Sequence, residues 1–267
     1  MFRLGTARLL ALIAVGCLLL ALGLRAGGID RPLFVAVNEA AWRWVPPAAL
    51  SCITILGHGL SATMLLAPAL LRAPPVWIAG LYATPVALLL SRLPKALIDS
   101  PRPAAVLDPD SLHIVGMRLA AHNSFPSGHA ITAFLVVAVV LAGYPAARPR
   151  IAAKFAVVLL GVAVAVSRVA VGAHWPSDAL AGTGLGLLAG VAGAQAASRW
   201  RLPWGPAAQI GSALVLLACS IVLARADLGY PMAFALQWML ATLGAGVAAA
   251  TLWRAWAARS ATARLPG

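Results

Sequence analysis

Charge is what this chain lacks most. Asp, Glu, Lys and Arg make up 10% of its 267 residues, and only seven residues are acidic. Those acids (Asp30, Glu39, Asp99, Asp108, Asp110, Asp178 and Asp227) are scattered, and the spacing of Asp99, Asp108 and Asp110 matches no metal-ligand set. No acidic metal cluster is therefore visible, and no cofactor is expected. Cysteine is almost as sparse: Cys17, Cys52 and Cys219 fall in or beside apolar segments, with no CxxC spacing. That indicates neither a disulfide framework nor a zinc site, and a buried thiol otherwise behaves as a small hydrophobe. Polar or low-complexity linkers are missing too, so one continuous domain is expected.

Apolar residues are what the chain has in excess. Hydrophobic residues make up 62% and mean hydropathy is +0.91, far above the apolar share of a soluble domain. A membrane-spanning helix needs about 20 mostly apolar residues. Segments of that kind run near 8–24, 49–71, 76–94, 127–144, 154–172, 178–197, 208–224 and 232–253. The expected fold is all-α, a polytopic membrane helical bundle of about eight spans. Arg3 and Arg8 ahead of the first apolar stretch resemble the start of a signal peptide. The stretch is long for one, however, and Leu24-Arg25-Ala26-Gly27-Gly28 is a poor cleavage site, so an uncleaved span is expected.

The formal net charge of +13 would suit a nucleic-acid partner. Here the basic residues sit at the ends of apolar runs, and no base-stacking or groove-reading module is visible, so no nucleic acid is expected. With the N-terminus cytoplasmic, the inner side holds Arg3, Arg8, Arg72, Arg148, Arg150, Lys154, Arg199, Arg201, Arg254, Arg259 and Arg264. Nine of the 20 basic residues fall on the outer side, and three of these belong to the polar clusters described next. The inner excess places both termini in the cytoplasm. The Arg- and Ala-rich composition points to a bacterial inner membrane, with the outer side facing the periplasm.

Three polar clusters interrupt the apolar sequence. They are Lys95-Ala-Leu-Ile-Asp-Ser-Pro-Arg102-Pro103, Phe125-Pro126-Ser127-Gly128-His129, and Ser167-Arg168-Val-Ala-Val-Gly-Ala-His174-Trp-Pro-Ser-Asp178. Ionisable groups in or beside spans are costly and point to function. The expected topology puts all three on the outer side. His174 and Asp178 are four apart, so on a helix they share a face. A carboxylate on one imidazole nitrogen leaves the other free to act, although Asp178 also suits the role of helix N-cap. Ser127 is a plausible N-cap as well, Gly128 lets backbone N–H groups approach a ligand, and a helix start is an anion site. Arg102 offers a fork for phosphate oxygens and Lys95 a point charge, while snorkelling to the interface is the plainer reading of such residues. Gly182, Gly186 and Gly190 form a small-xxx-small ladder, which in a span means close helix packing rather than a dinucleotide loop.

Taken in order, Lys-x6-Arg-Pro, Pro-Ser-Gly-His and Ser-Arg-x5-His-x3-Asp resemble the three-part signature of the type 2 phosphatidic acid phosphatases. This membrane family shares a superfamily with bacterial acid phosphatases and vanadium haloperoxidases. The resemblance implies a six-helix core over about residues 1–200, with 201–267 adding two spans and a basic tail of no evident function. It further implies metal-independent phosphatase chemistry on a lipid phosphate through a phospho-histidine. His174 would attack, Asp178 would orient it, and His129 would protonate the leaving oxygen. Lys95, Arg102, Ser127, Gly128 and Arg168 would hold the phosphate. Undecaprenyl diphosphate, phosphatidylglycerol phosphate, phosphatidic acid and the 1-phosphate of lipid A all fit such a site. Transfer to a second lipid would use the same intermediate, and an anion transporter would bind without cleaving. His58, His113 and His122 stay outside the expected site, and the oligomeric state is left open.

Overall fold

The computed structural model describes residues 4–143 and 151–262. Arg3, Arg148, Arg150 and Arg264, four of the inner-side charges, lie outside the described residues. The described chain is helical, without strands: α1 Leu4–Ala26, α2 Asp30–Trp44, α3 Pro47–Ile55, α4 Gly59–Leu66, α5 Pro68–Arg72, α6 Pro74–Leu97, α7 Pro103–Val106, α8 Gly128–Ala142, α9 Ile151–Ala170, α10 Pro176–Arg199, α11 Pro206–Arg225 and α12 Phe234–Thr262.

Six of these helices, α1, α6, α9, α10, α11 and a segment from Pro231 through α12, are long and apolar enough to cross a membrane. The expected continuous span over 49–71 is broken instead: α3 and the α4–α5 segment meet at an angle of 72°. The break falls at Leu56-Gly57-His58, where Gly57 lies so close to Val164 and His129 that a Cβ would not fit. The fourth expected span appears as α8, a shorter apolar helix of 15 residues. Helix α2 was not expected at all. It is amphipathic, carrying Asn38, Glu39 and Arg43, and it buries Phe34 and Asn38 while exposing Trp42 and Trp44.

Helix α10 is the hub, packing on α8, α6 and α1. Two thirds of its most apolar stretch (67%) is buried within the protein, against 22% for α1, whose outer surface is left for lipid. The glycine ladder makes this approach close. A Cβ at Gly182 would stand 2.5 Å from the Ser127 carbonyl oxygen, and one at Gly190 the same distance from Ala138. Gly184 faces the other way, onto Ala14 of α1. The ladder thus packs within one chain, which settles where those glycines are spent.

Candidate active site

Two helix starts and one helix end carry the site. Pro176 opens α10 with its fixed φ, and Asp178 is the third residue of the helix, not the N-cap. Its Oδ2 accepts from the N–H of Trp175, the actual cap position, at 3.0 Å. Ser127 is the N-cap of α8, as its residue type suggested, and its hydroxyl accepts from Ala130 N. The Ser127 N–H is committed to the Asp178 carbonyl at 3.0 Å, which ties the two helix starts together. What Ser127 retains for an anion is its hydroxyl. Helix α9 ends at Ala170, and Gly172 turns the chain with φ +78, where L side chains are strained. A Cβ there would also strike the carbonyl of His113. This turn lets the Arg168 carbonyl accept from both Ala173 N and His174 N, at 3.1 Å each, which fixes where His174 emerges.

The His174 environment is densely bonded. Its Nδ1 lies 3.4 Å from Asp178 Oδ2, and Ser124 Oγ lies between, 3.3 Å from Nδ1 and 2.5 Å from the same carboxylate oxygen. Arg102 Nη1 sits 3.3 Å from His174 Nε2 and 2.9 Å from the Ala173 carbonyl. A guanidinium can only donate, so Nε2 must present its lone pair and the ring proton belongs on Nδ1, facing Asp178. The nitrogen that carries the lone pair is therefore the one on which Arg102 donates. His174 and Asp178 are buried. Burial first, then the charges of Arg102, Arg168 and Lys95, hold the His174 pKa well below its ordinary value, so the imidazole is neutral at pH 7.

The other cations converge on the same place. Lys95, in the last turn of α6 rather than beyond it, donates from Nζ to the carbonyls of Asn123 (2.6 Å) and Ser124 (3.3 Å). Arg102 Nε donates to Asn123 Oδ1 at 3.2 Å. Arg168 is buried, with Nη1 on Thr54 Oγ1 and Tyr230 Oη. His129, the second residue of α8, opens onto a cavity of about 510 Å³ bordered by α4, α6 and α8. Leu60, Leu66, Trp77, Leu81, Leu88 and Leu135 give that cavity apolar walls, with Arg92 and Ser91 at a polar part of its lining.

All eight expected site residues thus fall on the three segments that meet here. Five further residues touch them and were not expected: Thr54, His58, Asn123, Ser124 and Tyr230. Asn123 and Ser124 directly precede the second cluster, so adjacency was their only signal. His58 faces His129 with ring centroids 6.0 Å apart. His113 instead stacks on Trp42 at 4.7 Å, and His122 meets exposed Asp99 at 3.0 Å, so neither joins the site. Among the described residues, no group of three or more His, Cys, Asp or Glu could hold a metal ion.

Comparison with known proteins follows the same segments. Residues 74–202 match the model of the PAP2 superfamily. The chain is similar to a lipid A 1-phosphatase of Rhizobium etli, 33% identical over 175 residues, which is 60% of this chain and 70% of that protein. Two crystal structures share the fold. LpxE of Aquifex aeolicus aligns with a TM-score of 0.55 at 22% identity, covering 62% of this chain and 95% of its own. A transmembrane PAP2-type phosphatidylglycerolphosphate phosphatase of Bacillus subtilis aligns with a TM-score of 0.54 at 21% identity, covering 72% and 96%.

Proposed function

The chain belongs to the PAP2 superfamily and is a membrane lipid phosphatase, and from that premise we propose that it cleaves a lipid phosphate through a phospho-histidine on His174. The observation that carries this reading is the line Asp178–His174–Arg102. The carboxylate holds the Nδ1 proton, and the Nε2 lone pair accepts from a guanidinium that a phosphate would draw onto its own oxygens, releasing the lone pair for attack. A phosphate entering between Arg102 and His174 meets the nucleophile and a donor at one point. Lys95, Arg168 and the Ser127 hydroxyl, beside Gly128 at the start of α8, supply the remaining positive potential, the main electrostatic term in phosphoryl transfer.

Attack from His174 expels the leaving oxygen on the far side of phosphorus. His129 borders the apolar cavity whereas His174 does not, so the lipid departs as the leaving group into the cavity, with the proton from His129. His129 then takes a proton from water, which hydrolyses the phospho-histidine. Cationic side chains do the charge neutralisation, and the step needs no metal. The similarity to a lipid A 1-phosphatase supports the 1-phosphate of lipid A as first choice among substrates. The catalytic core is residues 1–200, in the bacterial inner membrane, with the site facing the periplasm. The 11 basic residues of the inner side support that orientation.

The test is phosphate release by purified protein in detergent with a chelator present. Lipid A, phosphatidic acid, phosphatidylglycerol phosphate and undecaprenyl diphosphate form the panel. Release from lipid A above the others is expected. No release from any of them refutes the hydrolase, and a newly phosphorylated lipid in place of free phosphate would make it a transferase.

A further inference from the structure

The segment matching the family model ends at residue 202, yet a residue beyond it reaches the phosphate-binding cluster. Tyr230 lies in the turn between α11 and α12 and is buried. Its hydroxyl accepts from Arg168 Nη1 at 2.8 Å, and the guanidinium carbon is 5.8 Å from its ring centroid. Thr54 Oγ1, in the last turns of α3, accepts from the same Nη1 at 2.5 Å. Arg168 Nε is buried and has no partner. A guanidinium is rigid and planar, so two acceptors on Nη1 set the plane of the whole group. The edge carrying Nε and Nη2 is then the fork left for an anion. An unpaired buried N–H is costly without a ligand, and an anion on this edge would satisfy it.

Tyr230 is itself held firmly. Gly229 takes φ +75, its N–H donates to Asp227 Oδ1 at 2.8 Å, and its carbonyl accepts from Met117 N at 3.0 Å. A Cβ at Gly116 would come within 2.6 Å of the Tyr230 ring, so the outer loop is moulded onto it. Gln237 Nε2 closes the turn by donating to the carbonyls of Leu223 and Ala226, at 2.7 Å each.

We infer that Tyr230 is a positioning residue for the phosphate, aligning the Nε–Nη2 fork of Arg168 together with Thr54, so that the C-terminal hairpin completes the site rather than standing apart from it. This rests on the phosphatase reading above, with Arg168 as a phosphate ligand.

The test compares wild type, Tyr230→Phe, Thr54→Val, Thr54→Ser and Arg168→Ala. Binding of inorganic phosphate is read by calorimetry, and kcat and KM by phosphate release from a lipid phosphate. Losing an acceptor on a charged donor is expected to weaken phosphate binding about tenfold in Tyr230→Phe and in Thr54→Val. Thr54→Ser restores it, kcat/KM falls in parallel, and Tyr230→Phe adds nothing on the Arg168→Ala background. A merely structural Tyr230 would lower the melting temperature and leave phosphate affinity unchanged. Unchanged affinity in Tyr230→Phe, or an equal further loss on the Arg168→Ala background, overturns the inference. Absence of hydrolysis by wild type would instead defeat the phosphatase reading, since phosphate binding is measured without turnover.

Discussion

The two histidines of the site live in opposite surroundings. His174 is buried and hemmed in by Asp178, Ser124 and Arg102, each within 3.4 Å of a ring nitrogen. His129, half-buried, makes no hydrogen bond through its ring among the described residues and looks onto an open, mostly apolar cavity. A nucleophile must be held in one tautomer with one lone pair aimed, so its shell is built in advance. A group that trades protons with a departing lipid and then with water must stay accessible to both. On the proposed mechanism, the difference in packing is a difference in task.

Breaking the dense side should cost most. His174→Ala removes the only route to a covalent intermediate, and phosphate release should fall by about 10³-fold or more. The same assay on a lipid phosphate checks it; retention of more than a few per cent would contradict the assignment. His129→Ala should cost about 10²–10⁴-fold on a lipid substrate, the usual worth of a positioned acid–base group. With p-nitrophenyl phosphate, whose leaving group needs no proton, the first burst of nitrophenol should survive while turnover stalls. Equal loss of burst and turnover would mean that His129 does more than move protons.

Ser124→Ala tests the link between His174 and Asp178. It deletes the hydroxyl bridging them but leaves the carboxylate, so a drop of about tenfold in kcat with KM nearly unchanged is expected, on the order of one lost hydrogen bond to a charged group. The pH profile sharpens the comparison further. Attack needs neutral His174, and its pKa is held well below 6.5 by burial and by three cations. The neutral form therefore persists as pH falls through 6.5, and NMR titration should show His174 still uncharged where an ordinary histidine is half protonated. Titration at or above 6.5 would contradict the buried, cation-ringed site. The smallest effect belongs to the cavity. Thr84→Phe on its wall should raise KM for a long-chain lipid several-fold, about 1 kcal/mol, the low end of what a changed apolar fit costs. It should leave p-nitrophenyl phosphate untouched.

How much of this could be read from sequence depended on whether a signal was local. The helix start at Ser127 and most of the hydrophobic runs are local, and they appear in the structure, whereas α10 begins at Pro176, ahead of the cap expected at Asp178, and His174 meets Asp178 from the loop before the helix rather than across one helix face. The break at Leu56-Gly57-His58 hid inside an apolar run whose average hydropathy passes for one span. Helix α2 escaped because an amphipathic helix of 15 residues has too few apolar residues to register as a span. The contacts of Thr54 and Tyr230 with Arg168 cross 114 and 62 residues of chain. No spacing rule reaches that far. Nor could composition say that Gly182, Gly186 and Gly190 of α10 face the start and body of α8, since a small-residue stripe suits a partner in the same chain or in another.

The central claim is that His174 Nε2 becomes covalently phosphorylated. It is tested most directly by mixing the enzyme with a ³²P-labelled lipid phosphate, quenching under alkaline conditions that preserve phospho-histidine, and mapping the label by mass spectrometry. The account predicts label on His174, more of it in His129→Ala than in wild type, and none in His174→Ala. Label on another residue, or undiminished label in His174→Ala, would contradict it.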